Sequence, residues 1–218
     1  MPVRKIPVSR RSMTGLVSSR KNDRMTGFES SLERDFLLIL DFDPAVERYE
    51  EQPVTIEYRD RQGRRRTYTP DVLVYYRQGQ PGLDTCPLLC EVKYREDLWT
   101  DWKEIKPKIR AGRAYARAHG WRFKIITEFE VRTPYLDNVR FLRQYRRIEI
   151  NEDDRRLLLD ALSGMREADP ESVLAAVHQD KMRRAELLPI LSRLLADGHI
   201  EADLDQPLTM LTRIRATA

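Results

Sequence analysis

The 218-residue sequence is poor in sulfur and imidazole, with two cysteines, Cys86 and Cys90, and three histidines, His119, His178 and His199. Residues so few and so scattered make neither a disulfide framework nor a zinc site at a familiar spacing, and the expectation is a reduced, cytoplasmic protein. Long hydrophobic runs are also missing. No unbroken apolar stretch exceeds five residues, Phe36–Leu40 being one of that length, whereas a membrane span needs about 20. The basic amino terminus leads into no apolar block, so it does not read as a secretory signal. There is no internal repeat. What is present is 41% apolar and 34% charged residues, enough for a core and too apolar for a disordered chain.

The net charge of +4 is unevenly spread. Residues 1–24 carry seven basic residues against Asp23 alone, residues 151–218 carry nine basic against thirteen acidic, and the stretch between is close to neutral at +2. A basic arm ahead of a mixed domain is suited to a polyanion, because lysine and arginine beside phosphates release counterions without reading sequence. The same composition also describes a solvated tail. Arg10, Arg11, Arg20 and Lys21 are the arm's candidate DNA contacts, and residues 1–27 are expected to be flexible until bound.

Residues 28–149 read as one α/β domain. Ser30-Ser31-Leu32-Glu33 has the pattern of a capping box, opening a helix that runs to about Asp41, ahead of Pro44. Alternation at Val54, Ile56 and Tyr58 predicts a strand over 53–58 that pairs, across the turn at 61–64, with a return strand over 66–76. Further strands are expected at 88–94 and 121–127, separated by a helix whose main body starts with Pro107 at its first position and ends at Gly120. The order gives a mixed sheet flanked by helices. Residues 150–218 change character, with helices at 153–162, 170–177 and 184–196 followed by a hairpin over 199–214. Three helices and a hairpin are the plan of a winged-helix-like domain.

Two strands carry the chemistry. Pro70-Asp71 opens one, and Glu91 and Lys93 lie two apart in another, so both project from one face. Charges inside apolar strands are costly unless paired or bound to a metal. If the strands are neighbours, Asp71 and Glu91 repel at close range, which a divalent cation relieves, and hard oxygen donors suit Mg²⁺ or Mn²⁺. Such an ion binds a scissile phosphate, and the ammonium of Lys93 orients water or stabilises developing charge. A bare Glu-x-Lys triplet arises about once by chance in a chain this rich in both residues; the flanking apolar strand and Pro-Asp supply the context. The alternative is a structural ion pair of Lys93 with Asp71 or Glu91.

Glu33 shares a helical stripe with Phe36, Leu37 and Leu40, so it either completes the metal site or merely caps its helix. Glu50 and Glu51 are expected on an exposed approach to the first strand. Lys106, Arg110, Arg113 and Arg117 recur at spacings of four, three and four on one helical face, suited to DNA phosphates or simply to solvent. Alanines 111, 114 and 118 mark the face expected to pack on the sheet.

These motifs resemble the PD-(D/E)xK nuclease superfamily. In particular Ser31-Leu32-Glu33-Arg34-Asp35-Phe36, Asp41-Phe42-Asp43-Pro44, Tyr49-Glu50-Glu51-Gln52-Pro53, Tyr68-Thr69-Pro70-Asp71 and Glu91-Val92-Lys93 resemble the TnsA family, endonuclease subunits of heteromeric cut-and-paste transposases, some of them CRISPR-associated. The resemblance implies a restriction-endonuclease-like fold with catalytic Glu33, Asp71, Glu91 and Lys93. It implies Mg²⁺, with Mn²⁺ as substitute, at Glu33, Asp71, Glu91 and Val92. It also implies cleavage of double-stranded DNA at the 5′ ends of a mobile element in a bacterial cytoplasm, with a DDE-class transposase, TnsB, and an AAA+ ATPase, TnsC, as partners. A lone restriction or junction-resolving nuclease and a non-catalytic DNA-binding scaffold are the competing readings. Because the last third of the chain is acidic, with Arg184 and Arg193 alone in its third helix, it is expected to dock protein rather than DNA.

Overall fold

The computed structural model describes residues 14–79 and 85–217. They divide into two compact units that meet in sequence between Arg132 and Thr133, earlier than the boundary expected at 149/150. The difference is a helix over 134–143, whose Leu136, Val139 and Leu142 are buried; its amphipathic pattern carries no local mark of the unit to which it belongs.

The first unit opens with a hairpin, β1 (Gly15–Ser19) and β2 (Arg24–Phe28), where a flexible arm is expected. The expected arm fails from Gly15 onward because long-range contacts order the hairpin. Helix α1 (Ser31–Phe42) presents the buried Asp41, whose Oδ1 accepts from Ser19 Oγ at 3.0 Å, Arg20 N at 2.7 Å and Lys21 N at 3.3 Å. Lys21 Nζ donates to the carbonyls of Asp43 and Val46, the latter at 2.6 Å. Arg24 pairs with the buried Glu51 at 2.6 Å. Arg10 and Arg11 lie outside the described residues.

The chain continues through β3 (Val46–Glu51), β4 (Ile56–Arg59), β5 (Arg65–Tyr68), β6 (Val72–Tyr76) and β7 (Leu88–Val92). It then forms helices α2 (Arg95–Thr100) and α3 (Trp102–Ala118), strand β8 (Arg122–Ile126) and helix α4 (Glu128–Val131). The central sheet has the order β3-β6-β7-β8; β7 is antiparallel to β6 and parallel to β8. This is the mixed sheet of a restriction-endonuclease-like fold. The predicted hairpin over 53–76 divides: β4 and β5 pair with each other, while β6 joins the central sheet. Strand β3 replaces the exposed approach expected around Glu50 and Glu51, and Glu51 is buried, its charge met by Arg24.

Pro107 lies inside α3 rather than at its start. An interior proline costs about 3 kcal/mol, here offset by Ile105 and Ile109, buried one turn apart on either side of it. The buried face of α3 is Ile105, Ile109, Gly112 and Ala116, a stripe at helical spacing; of the expected alanines, Ala111 packs partly buried beside it, while Ala114 and Ala118 are exposed. Ala116 packs with Ile56, Tyr68, Leu73 and Leu89. Gly120 ends the helix at φ 69°, as a residue without Cβ does readily.

The second unit contains α5 (Pro134–Arg143), a 3₁₀ turn (Gln144–Arg147), α6 (Glu152–Met165), α7 (Pro170–Val177), α8 (Lys181–Ala196) and the antiparallel pair β9 (Ile200–Ala202) and β10 (Ile214–Ala216). Leu158, Leu162, Val173, Leu187, Leu191, Leu194, Ile200 and Ile214 form its core. Helices α6 to α8 and the terminal strand pair give the expected winged-helix-like plan. Among the described residues no helix is long and apolar enough to cross a membrane.

Candidate active site

The register of the central sheet decides the site. Val72 lies opposite Cys90, so one step further Asp71 faces Glu91. Asp71 N donates to Cys90 O at 3.1 Å, and Val92 N donates to Asp71 Oδ2 at 2.6 Å. Two residues along β7 from Leu89, Glu91 shares the face on which Leu73 and Leu89 pack against Tyr68. Lys93 follows on that face, its Nζ 3.8 Å from Glu91 Oε1. Asp71, Glu91 and Lys93 are therefore together: the two-residue spacing predicts Glu91 and Lys93 on one face, and the pairing of β6 with β7 meets the condition on which Asp71 joins them.

Burial and mutual repulsion govern the protonation of the acids. Asp71 is held well above the ordinary carboxylate range by burial, then by the charges of Glu91 and Glu33, with the Val92 amide and Lys93 pulling the other way. Burial also raises Glu91, opposed by Lys93, by Tyr68 and by a hydrogen bond with Asp71. Burial and the neighbouring charge thus disfavour a full negative charge on both carboxyls at once. Burial works against the charge of Lys93, but Glu91, then Asp71 and Glu33, outweigh it and raise the pKa of the ammonium.

Glu33 stays at its helix start, but only half of the expected capping box forms: its side chain accepts from Glu29 N and Ser30 Oγ and not from the Ser30 backbone N–H. Its N–H donates to Ser30 Oγ at 3.1 Å, its Oε1 accepts from Ser30 Oγ at 2.9 Å, and its Oε2 accepts from Glu29 N at 2.8 Å. Burial raises its pKa, and these bonds lower it. The capping bonds and the charge coupling to Asp71 and Lys93 coexist.

A divalent cation fits the donor chemistry: two hard carboxylates face each other across adjacent strands, and such an ion relieves the cost of holding both charges there. Among the described residues no three His, Cys, Asp or Glu side chains are gathered as a ready metal cage, because the carboxylate of Glu33 is turned to its own helix start. Val92 has only its main-chain carbonyl to offer a cation; its N–H donates to Asp71.

The structure gives roles to residues for which the sequence assigned none. Tyr68 OH donates to Glu91 Oε2 at 2.7 Å in a buried setting; the sign available in the sequence was one aromatic ending a charged run just before Thr69-Pro70-Asp71. Tyr94 OH and Ser31 Oγ are hydrogen-bonded at 2.8 Å, and Arg132 donates to Tyr94 OH at 2.7 Å and to Ser31 Oγ at 3.3 Å. This cluster ties the start of α1 to the residue after Lys93.

Of the expected DNA contacts, Lys106, Arg110, Arg113 and Arg117 are all exposed along α3, and none engages a carboxylate among the described residues. Arg20 is exposed. Lys21 is only partly exposed, and its ammonium is spent on two main-chain carbonyls, which leaves it a hairpin anchor.

Residues 43–128 match the family described as TnsA-like endonuclease N terminal, and residues 130–204 match TnsA endonuclease C terminal. The chain belongs to the TnsA endonuclease family. It is the DNA endonuclease subunit of a Tn7-like transposase. The two matches meet near residue 129, in agreement with the division of the chain into units at Arg132. No curated protein matches the chain.

Proposed function

We propose that this endonuclease hydrolyses phosphodiester bonds at the 5′ ends of its mobile element with Mg²⁺, replaceable by Mn²⁺, at Asp71 and Glu91. The observation that carries this reading is the opposition of Asp71 and Glu91 across β6 and β7, with Lys93 on the same face. A cation bound there supplies the Lewis-acid charge that a phosphodiester under attack requires. Lys93 holds a positive charge beside the reacting phosphate and stabilises the negative charge that develops on it. Tyr68 orients Glu91 through its hydroxyl. Glu33 adds negative potential from the start of α1, and Lys106, Arg110, Arg113 and Arg117 track the duplex backbone without reading bases.

The chain works in the cytoplasm beside a DDE-class transposase of the TnsB type, which processes the 3′ ends, and an AAA+ ATPase of the TnsC type. The second unit is their docking module. In α8, Arg183 pairs with Asp154 and Glu186, and Arg193 with Asp197 and the carbonyls of Arg146 and Ile148, so those cations are engaged inside the unit. A cavity of about 220 Å³ lined by residues such as Phe141, Tyr145, Leu188 and Leu208 offers apolar surface instead.

The test is cleavage of DNA carrying the element's ends by the wild type, Asp71→Asn and Glu91→Gln, with Mg²⁺, Mn²⁺ or EDTA, and with or without the partner proteins. Loss of cutting with folding and DNA binding retained supports catalysis by this pair. A wild type that never cuts under any of these conditions, yet binds the ends, makes the chain a scaffold. If removing residues 151–218 lowers DNA affinity several-fold and leaves partner binding unchanged, the docking role is wrong.

A further inference from the structure

Gln52 follows β3 directly and has three properties that seldom coincide. Its backbone is left-handed, at φ 45°, a region that a non-glycine residue adopts only where its surroundings impose it. It is 8% exposed. Its Oε1 is buried without a hydrogen-bond partner, although buried polar atoms are normally paired. Residues held under strain in this way cluster at functional sites.

Its contacts show what the strain holds in place. The Gln52 N–H donates to the carbonyl of Asp71 at 2.8 Å, and its Nε2 donates to Glu29 Oε1 at 2.9 Å. Glu29 in turn donates its N–H to Glu33 Oε2 at 2.8 Å. One residue thus joins the main chain of Asp71 to the turn that holds Glu33, two acids on different elements. The amide orientation follows from chemistry: turned over, it would set Oε1 against the Glu29 carboxylate. A right-handed backbone at this position is disfavoured as well, because Pro53 follows.

We propose that Gln52 is a positioning residue of the nuclease site, setting the Glu29–Glu33 turn at a fixed distance from Asp71. The inference rests on the nuclease reading above. Gln52 touches no reacting atom; it acts through Glu29 and Asp71.

Gln52→Gly keeps the left-handed backbone without strain and removes only the side chain, so its thermal midpoint should equal or exceed that of the wild type. Its turnover on DNA should fall roughly 10- to 100-fold, as for removal of a group that orients a ligand, with the half-saturating DNA concentration unchanged. Gln52→Glu sets two carboxylates together and should lose as much. The swap Gln52→Glu with Glu29→Gln restores donor and acceptor, and it should recover activity to within about three-fold of the wild type, the non-additivity expected of a direct contact. Hydrogen exchange on the same proteins should show residues 29–33 opening faster in Gln52→Gly, and in the swap returning to the wild-type rate. Wild-type turnover in Gln52→Gly, or a swap no better than its two single changes, overturns the proposal, as does unchanged exchange at 29–33. A wild type that fails to cut refutes the nuclease reading instead, and the exchange rates then decide the clamp alone.

Discussion

Replacing Gly112 with alanine tests how closely α3 must approach the sheet. On an exposed helix this change stabilises by about 1 kcal/mol, because glycine loses more backbone entropy on folding. Here a Cβ would stand 2.7 Å from Phe123 Cε2, 3.3 Å from Phe123 Cζ and 3.0 Å from Tyr68 Cε1, inside the roughly 3.5–4.0 Å at which carbon atoms attract. Two aromatic rings, both packed in the cluster with Leu73 and Leu89, must give way, and overpacking of this kind costs about 1–3 kcal/mol. The clash outweighs the helix gain, leaving a net loss of about 1 kcal/mol and a melting temperature lower by roughly 2–5 °C. The change also reaches the site, because the Tyr68 ring carries the hydroxyl bonded to Glu91. Thermal denaturation and cleavage of the element's ends should therefore both decline in Gly112→Ala. If the loss of cutting runs through Tyr68, adding Gly112→Ala to Tyr68→Phe should cost little more activity than Tyr68→Phe alone. A melting temperature above that of the wild type would refute the reasoning, since it would mean that the position behaves as an ordinary exposed helix site.

The raised pKa values of Asp71, Glu91 and Glu33 set the sign of the pH dependence. An acid whose folded pKa lies above its unfolded one binds its proton more tightly when folded, so its contribution is full below about pH 4 and is lost as pH rises through the raised folded values. In EDTA, melting temperature should fall on going from about pH 5 to about pH 8, and Asp71→Asn should flatten that fall; identical slopes in both proteins would contradict it. Mg²⁺ should restore stability mainly at the upper end, where the carboxylates are free of protons. Arg110→Ala with Arg113→Ala should weaken DNA binding and reduce the slope of log affinity against log salt by about two, with no change in melting because both side chains are exposed; an unaltered slope would remove this face of α3 from the DNA path.

The parts of the fold written in neighbouring residues were legible. Ser30 and Glu33 mark the start of α1 because the capping bonds close within four residues, and Asp169-Pro170 marks α7 in the same way. The two-residue period of a strand puts Glu91 and Lys93 on one face, which the 3.8 Å ion pair reflects. The hairpin β1–β2 was less visible. Val17, Ser19, Thr26 and Phe28 alternate inward about the Asn22-Asp23 turn, but the strands are only five residues each, and what orders them is a carboxylate at Asp41, about twenty residues away.

From its sequence alone the chain has a capped helix ahead of a Pro-Asp strand and a Glu-x-Lys strand, a basic helical face, a helical tail with a terminal hairpin, and motifs resembling one nuclease family. These follow from periodicity, capping and turn chemistry, which act between residues a few positions apart. The tertiary structure alone decided that β6 leaves its expected hairpin partner for the central sheet, that Asp71 meets the amide of Val92, that Tyr68 grips Glu91, and that Gln52 links the acids. Each depends on side chains or strand edges about twenty residues apart in the chain. Strand register and burial of charge are set by the packing of the whole unit, and no local pattern encodes them.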